Sequence, residues 1–251
     1  MAEVMTAWRE PTSRWGGAEA RTKRMFIGHF GVGLAAKPLA PRTSLGTLFA
    51  AALLIDLVWP ALLLLGVERV RIEPGNTAFT PLAFVHYPWT HSLVMVVVWA
   101  AVFGVGYRLL AGYARGAWGL AGLVLSHWLL DFIVHRPDLP LAPGMVEVGL
   151  GLWNSVAATV IIEGLIFVTG VVVYATTTRA LNRTGQLAFW GLVAFLVLIY
   201  VANVTGPPPP SARAIAVVGL LAWLFVPWGA WVDRNRRIST RTRISSPCLA
   251  R

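Results

Sequence analysis

Charged residues and cysteines are scarce in this chain of 251 residues. Aspartate, glutamate, lysine and arginine together make up 13% of the chain, and 57% of its residues are hydrophobic. Soluble domains carry about 25% charged residues, so this composition predicts a chain embedded in a membrane. The single cysteine, Cys248, excludes an internal disulfide and a cluster of cysteine metal ligands.

Acidic residues are also few, since 21 lysines and arginines outnumber 11 acidic residues and give a formal net charge of +10. The basic residues lie at the two ends and in short loops, and they do not follow one face of a helix. This distribution is typical of a membrane protein in contact with anionic lipid. We therefore expect membrane lipid as a partner and no nucleic acid.

Long apolar runs fill the rest of the chain, and about 20 such residues are enough to span a bilayer as a helix. Six segments qualify, at 44–66, 89–110, 117–135, 152–176, 187–204 and 212–232. A seventh, at 25–36, is too short to cross and fits a half-span, a re-entrant helix or an interfacial helix. We expect an all-α fold, a polytopic membrane bundle of six long transmembrane helices and one short amino-terminal helix.

These segments predict a single membrane-embedded domain over residues 25–237. A polar, disordered stretch is expected at 1–24, and a disordered basic tail at 238–251. Met25 opens the first apolar stretch, so we expect the natural start there.

Basic residues accumulate in the loops on one side of six alternating spans. The positive-inside rule then places the carboxy terminus in the cytoplasm. The loops 67–88 and 136–151 would face outwards from the cell (inner) membrane.

Histidine is absent after residue 135, and all five histidines accompany two aspartates inside or beside the apolar segments. An aspartate at the bilayer centre costs roughly 2.5–3.5 kcal/mol on insertion scales, so such residues indicate function. Imidazoles and carboxylates are also common ligands of divalent transition metals. The seven positions are His29, Asp56, His86, His91, His127, Asp131 and His135.

Sequence spacing places three of these residues in one column. His127, Asp131 and His135 are four residues apart, which puts them on nearly the same face of a helix. The column approaches the external surface at its His135 end. Asp56 lies past the middle of the first span, towards the same side of the membrane.

Two further histidines come from the segment His86-Tyr87-Pro88-Trp89-Thr90-His91-Ser92-Leu93. We expect Thr90 to be the N-cap of the helix that follows. His91 would then lie in the first helical turn and His86 in the loop above it, both at the external end of this span.

Four blocks of the chain resemble the bacterial membrane-bound metal-dependent hydrolase family, the YdjM-like group, over about residues 25–140. The specific part of the resemblance pairs a Thr-His-Ser-Leu block with a Ser-His-x-x-x-Asp block. It implies hydrolysis of phosphoesters, through a distant link to the all-helical zinc phospholipase C and nuclease group. The blocks are Gly28-His29, Leu54-Ile55-Asp56, the segment from His86 to Leu93 and Ser126-His127-Trp128-Leu129-Leu130-Asp131.

The chain departs from this family at two positions. Val58 stands where the family usually has a second aspartate, which removes a candidate ligand for a second metal. Tyr87 stands where the family often has an arginine, which removes a candidate phosphate contact.

Neutral imidazoles and a carboxylate can hold Zn²⁺ or a similar divalent metal and leave a position for water. His86 and His135, nearer the mouth, are candidates for catalytic roles as general acid or substrate contacts. Glu163, deep in the fourth span, is a candidate extra ligand, a partner behind a histidine ligand or a proton carrier. The expected metal ligands are His29, Asp56, His91, His127 and Asp131.

A histidine ligand also needs a hydrogen-bond partner for its second ring nitrogen. Thr90, Ser92 and Ser126 are the neighbours in sequence that could supply one.

The sequence thus predicts a membrane metal-dependent hydrolase with a phosphorylated lipid or envelope substrate on the external side. Two alternatives stay open. One is a transporter or ion pathway through the buried aspartates, glutamate and histidines. The other is a metal-bound membrane protein without catalytic turnover.

Overall fold

A computed structural model describes residues 27–239 of the chain. Within that range five helical segments are long and apolar enough to cross a membrane, as the sequence predicts. The fifth comprises α9 (Ala212–Leu220), a 3₁₀ turn and α10 (Phe225–Arg234). The other four are α5 (Leu93–Ala111), α6 (Ala114–Val134), α7 (Val156–Thr177) and α8 (Arg183–Thr205).

The first predicted span is a broken helix. It consists of α2 (Leu45–Ala52) and α3 (Leu54–Leu64), which are bent by 57° and make a sixth span if counted together. Ser44 begins α2 as its N-cap and accepts a hydrogen bond from the Thr47 amide. Leu53 separates the two helices, and since leucine is a good helix former, the sequence carries no local sign of this bend.

The short apolar stretch near the amino terminus forms α1 (Ile27–Ala35), and it packs against α7. A helix of nine residues is about 13 Å long, which is less than half of a bilayer core. Phe30 and Leu34 are fully buried. The close approach requires glycine, because a Cβ at Gly31 would lie 2.6 Å from the Ile166 carbonyl oxygen and 2.7 Å from Phe167 Cα.

Three small antiparallel hairpins join the helices. β1 (Arg69–Ile72) pairs with β2 (Leu82–His86), and β3 (Leu139–Pro140) pairs with β4 (Glu147–Val148). β5 (Thr178–Ala180) pairs with β6 (Arg236–Ile238), so the ordered chain extends past the boundary predicted at residue 237. The rest of the predicted tail, Cys248 and the predicted segment 1–24 lie outside the described residues.

One prediction about helix starts was wrong. Thr90 is not the N-cap of the second span, because Pro88–His91 forms a separate turn, α4, with proline in its first position. Ser92 caps α5 instead and accepts from the Met95 amide. The Thr90 side chain is engaged elsewhere, in the site described below.

Side-chain and backbone contacts divide the bundle into two ends. At one end, Lys37 Nζ lies 2.5 Å from Asp233 Oδ2, and Arg115 donates to the Pro38 carbonyl. At the other end, the Phe79 amide donates to the Trp153 carbonyl, which joins the first hairpin to the segment that precedes α7. The basic loops therefore lie together, opposite the end that carries the β1–β2 and β3–β4 hairpins.

Candidate metal centre

Helix α6 contributes a histidine and an aspartate to a buried cluster. His127 and Asp131 are one turn apart, and His127 Nε2 lies 3.3 Å from Asp131 Oδ2. His127 is 1% exposed and Asp131 4%. Asp131 lies three residues before the end of α6, about 5 Å along the helix axis, so the cluster lies near the end of the bundle that carries the β1–β2 and β3–β4 hairpins.

The bend at Leu53 brings a second aspartate to the same place. Asp56 lies in the first turn of α3, and its Oδ2 is 3.8 Å from His127 Nε2. The final carbonyls of a helix have no intrahelical partner, and the bend turns the carbonyl of Ala52 into an acceptor for His127 Nδ1 at 2.9 Å. The break in the span thus positions both a carboxylate and an imidazole.

Histidines from two other elements complete the cluster. His91 of α4 points its Nε2 between the two carboxylates, 3.6 Å from Asp56 Oδ1 and 3.8 Å from Asp131 Oδ2. His29 of α1 lies with its Nε2 3.4 Å from Asp131 Oδ1. All five predicted ligands converge, and two overlapping groups of three have ligand atoms within 4.8 Å of one another.

The hydrogen bonds behind the rings determine which nitrogen carries the proton. A carbonyl oxygen only accepts, so His127 donates from Nδ1 to Ala52, and its Nε2 is left as a lone pair in the neutral ring. The Thr90 hydroxyl donates to Glu68 Oε2 at 2.7 Å, so its oxygen accepts from His91 Nδ1 at 2.6 Å. In the neutral form of each ring, Nε2 is therefore the atom with the lone pair, and in both histidines this atom faces carboxylates.

Lone pairs directed at carboxylates require a cation between them, a metal ion or a proton. His127 Nε2 is buried and has no hydrogen-bond partner in the described part of the chain. Within that same part, no lysine or arginine pairs with Asp56 or Asp131. Ligands about 2.0–2.2 Å from a tetrahedral Zn²⁺ would lie about 3.3–3.6 Å apart, close to the nitrogen–oxygen separations seen here. Donor atoms at these separations could therefore hold a metal ion.

Access to the cluster is uneven. The side chain of Asp56 is 35% exposed, whereas those of His91 and Asp131 are 4% and 6% exposed. A small molecule approaching this centre would therefore meet Asp56 first.

Sequence reasoning missed Glu68, which lies in the loop after α3 and is 1% exposed. Its Oε1 accepts the amides of Trp89 and Thr90 at 2.8 and 2.9 Å, and its Oε2 accepts the Thr90 hydroxyl. Thr90 was one of three expected partners for a second ring nitrogen, and it does serve His91. Ser92 and Ser126 donate instead to backbone carbonyls of their own helices or turns. No motif marks Glu68, because it is an isolated acid in a polar loop.

His135 belongs to a neighbouring polar network one turn further along the chain. Its Nδ1 lies 2.9 Å from Asp138 Oδ1, and the other carboxylate oxygen accepts from Arg136. The Tyr87 hydroxyl donates to the Asp138 carbonyl at 2.7 Å and lies 3.4 Å from His135 Nδ1. Burial, and after it the Asp138 carboxylate, raise the pKa of Tyr87 well above its ordinary value, so the phenol remains a donor.

Tyr87 lies between the cluster and the network of His135. The Tyr87 ring centroid lies 5.1 Å from that of His91 and 6.0 Å from that of His135. Trp153 packs on the other side of His135, at 4.2 Å between centroids. His135 is thus packed between aromatic rings and is only 2% exposed. It lies outside the two groups of metal-binding candidates.

Two sequence-predicted residues lie outside the cluster as described. His86 is exposed on β2, opposite Arg69 of β1. Glu163 is fully buried on the membrane-spanning helix α7. Their predicted roles, as a catalytic group and as a partner of a ligand, stay predictions.

Comparison of the chain with models of protein families, with curated proteins and with solved structures gives no match.

Proposed function

We propose that this multi-pass membrane protein is a metal-dependent hydrolase that acts on a phosphoester or envelope lipid at the external side of the membrane. One observation carries the proposal: the Nε2 atoms of His91 and His127 lie 3.3–3.8 Å from carboxylate oxygens of Asp56 and Asp131, and no lysine or arginine of residues 27–239 pairs with these carboxylates. A divalent ion, with Zn²⁺ as the first choice for three imidazoles and two carboxylates, would occupy that position.

The chemistry of the centre follows from its ligands. A bound metal lowers the pKa of a coordinated water towards 7 and polarises a phosphoryl or carbonyl oxygen. The five proposed ligands come from α1, α3, α4 and α6, and Asp131 lies beside all three imidazoles among them. The partial exposure of Asp56 leaves one side through which substrate and water can enter.

His135 is our candidate for the proton transfer that hydrolysis also needs. Asp138 accepts from its Nδ1, so the ring keeps Nε2 as its basic atom. The same orientation of a histidine by a carboxylate serves general acid–base catalysis in many hydrolases. An Asp138→Asn substitution would lower turnover and leave metal binding in place.

The substrate side and the membrane are inferred from the distribution of charge. The basic loops share the end of the bundle opposite the cluster, and the positive-inside rule assigns that end to the cytoplasm. We therefore propose that the protein lies in the cell (inner) membrane, with its carboxy terminus in the cytoplasm and its metal centre on the external side. The resemblance over residues 25–140 favours a phosphoester among the substrates available there.

Metal content is the first test. We expect about one equivalent of divalent metal in the detergent-purified chain and its loss in His127→Ala and Asp131→Ala. The matched control is His86→Ala, since His86 is an exposed histidine outside the cluster. Metal-free wild-type protein under metal-replete conditions, or equal content in all variants, would overturn the proposal.

Turnover is the second test, because four of the five ligands are almost completely buried, as in closed structural metal sites. A screen of phosphomonoesters, phosphodiesters and lipid phosphates should find hydrolysis that needs the metal and is lost in His127→Ala. Stoichiometric metal with no hydrolysis across the screen would favour the non-catalytic alternative. Ion flux into proteoliposomes that depends on Asp56 would favour a transporter.

A further inference from the structure

The buried carboxylate of Glu68 is linked to His91 only through the Thr90 hydroxyl, among the hydrogen bonds of the described residues. It lies behind the His91 side of the cluster and accepts three hydrogen bonds, from two amides and one hydroxyl. Glu68, Thr90 and His91 are 1%, 0% and 4% exposed. Since all three side chains are buried and Thr90 lies between the other two, their hydrogen bonds cannot be exchanged freely for water.

The numbers of donors and acceptors on Glu68, Thr90 and His91 determine the direction of each hydrogen bond between them. An ionised carboxylate only accepts, so the single proton of the Thr90 hydroxyl points to Glu68 Oε2. The Thr90 oxygen can then only accept from the ring, and His91 must carry its proton on Nδ1. His91 Nε2 is left as the lone pair that lies 3.6 Å from Asp56 and 3.8 Å from Asp131.

We propose that Glu68 is a positioning residue of the metal centre, which acts through the Thr90 hydroxyl to hold His91 in the Nδ1–H form with Nε2 free for the metal. The inference deepens the proposed function and rests on the metal centre assigned there. Glu68 also joins the Trp89 and Thr90 amides to the end of α3, and so sets where α4 presents His91.

Replacing the carboxylate by an amide should reverse the chain of hydrogen bonds. In Glu68→Gln the side-chain oxygen can still accept the Trp89 and Thr90 amides, which leaves the NH₂ group facing the Thr90 oxygen. The Thr90 hydroxyl must then donate to His91 Nδ1, and the ring proton moves to Nε2. A nitrogen that carries a proton cannot bind a metal. The isosteric change at Glu68, which acts through Thr90 and His91, should therefore lower the metal affinity of the site.

The experiment uses the full chain in detergent, with Co²⁺ as the metal probe, and compares the wild type with Glu68→Gln, Thr90→Val and Thr90→Ser. Partners behind metal ligands are typically worth 10–100-fold in affinity. We expect losses of that size in Glu68→Gln and Thr90→Val and a near wild-type affinity in Thr90→Ser, which keeps the hydroxyl. Glu73→Gln is the matched control, because Glu73 is an exposed acid of the same loop region.

A second readout needs no metal. Nitrogen NMR of ¹⁵N-histidine-labelled, metal-free protein, with His91 assigned from its missing signal in His91→Gln, reports the ring tautomer. We expect a proton on Nδ1 in the wild type and in Thr90→Ser, and an Nδ1 without a proton, the proton being on Nε2, in Glu68→Gln. Thermal unfolding of each variant identifies any that fails to fold. If Glu68→Gln does not fold, the comparison of Thr90→Val with Thr90→Ser still tests the proposal.

The outcomes separate the two proposals. Wild-type protein that binds no Co²⁺ but shows the tautomer change in Glu68→Gln would refute the metal-dependent hydrolase and retain the role of Glu68 in setting the His91 proton. Normal Co²⁺ affinity and an unchanged tautomer in folded Glu68→Gln and Thr90→Val would overturn the inference while the metal centre stands.

Discussion

The imidazole rings of His29 and His127 are stacked, with centroids 3.9 Å apart and planes within 2° of parallel. Both rings turn their Nε2 atoms to Asp131, at 3.4 and 3.3 Å. His29 belongs to α1 and His127 to α6, so the stack attaches a helix too short to span the membrane to the centre of the bundle. This contact makes α1 part of the site.

A substitution of His29 can separate the contribution of the ring stack to packing from the contribution of the ring nitrogen to metal binding. In His29→Phe an aromatic ring of similar shape can remain stacked on His127, but the nitrogen near Asp131 is lost. We expect the thermal unfolding temperature in detergent to stay close to that of the wild type and the Co²⁺ affinity to fall about tenfold or more, which isothermal titration measures. Wild-type affinity in His29→Phe would remove His29 from the ligand set.

The two buried aspartates of the α6 region should behave differently. Asp131 contacts three imidazoles of the cluster, whereas Asp138 contacts His135 and Arg136. We expect Asp131→Asn to abolish metal binding, measured by elemental analysis. Asp138→Asn should retain the metal and lower kcat on whichever phosphoester is hydrolysed. Loss of metal in Asp138→Asn would show that His135 and Asp138 belong to the ligand shell.

The packing of α1 on α7 should determine the position of His29 and, through it, the metal affinity of the centre. A Cβ at Gly31 would collide with the backbone of α7, and such overpacking costs about 1–3 kcal/mol. In Gly31→Ala we expect α1 to shift and His29 to move with it, so that both the unfolding temperature and the metal affinity fall. Gly164→Ala, on α7 itself, is the control because its Cβ would meet nothing within 4 Å. Equal behaviour of the two variants would contradict the argument.

Tyr87 should stabilise the outer network without binding the metal. Tyr87→Phe leaves the Asp138 carbonyl without its donor, and an unsatisfied buried acceptor costs about 1–3 kcal/mol. We expect a lower unfolding temperature with metal stoichiometry unchanged. Tyr113→Phe, which keeps the ring that Arg42 stacks on, is the control. A loss of metal in Tyr87→Phe with the fold intact would instead assign the phenol to the metal centre.

Prediction from sequence succeeded where a local pattern determines the structure. The apolar runs located the membrane-spanning helices, and the spacing of His127 and Asp131 placed both on one face of α6. Prediction failed at the Leu53 bend and at the start of α5, since neither depends on local propensity. Thr90 looks like an N-cap, but its hydroxyl is held by Glu68, a residue 22 positions earlier.

The sequence by itself determined that this is an apolar helical membrane protein and that His127 and Asp131 share one face of a helix, because hydrophobicity and helical spacing act over a few residues. Only the tertiary structure decided which atoms face one another. The contact between His91 and Asp56, the carbonyl offered to His127 by the bent span, and the proton order set by Glu68 join segments that are far apart in the chain. Such contacts depend on how helices pack, and packing depends on the whole bundle rather than on any one segment.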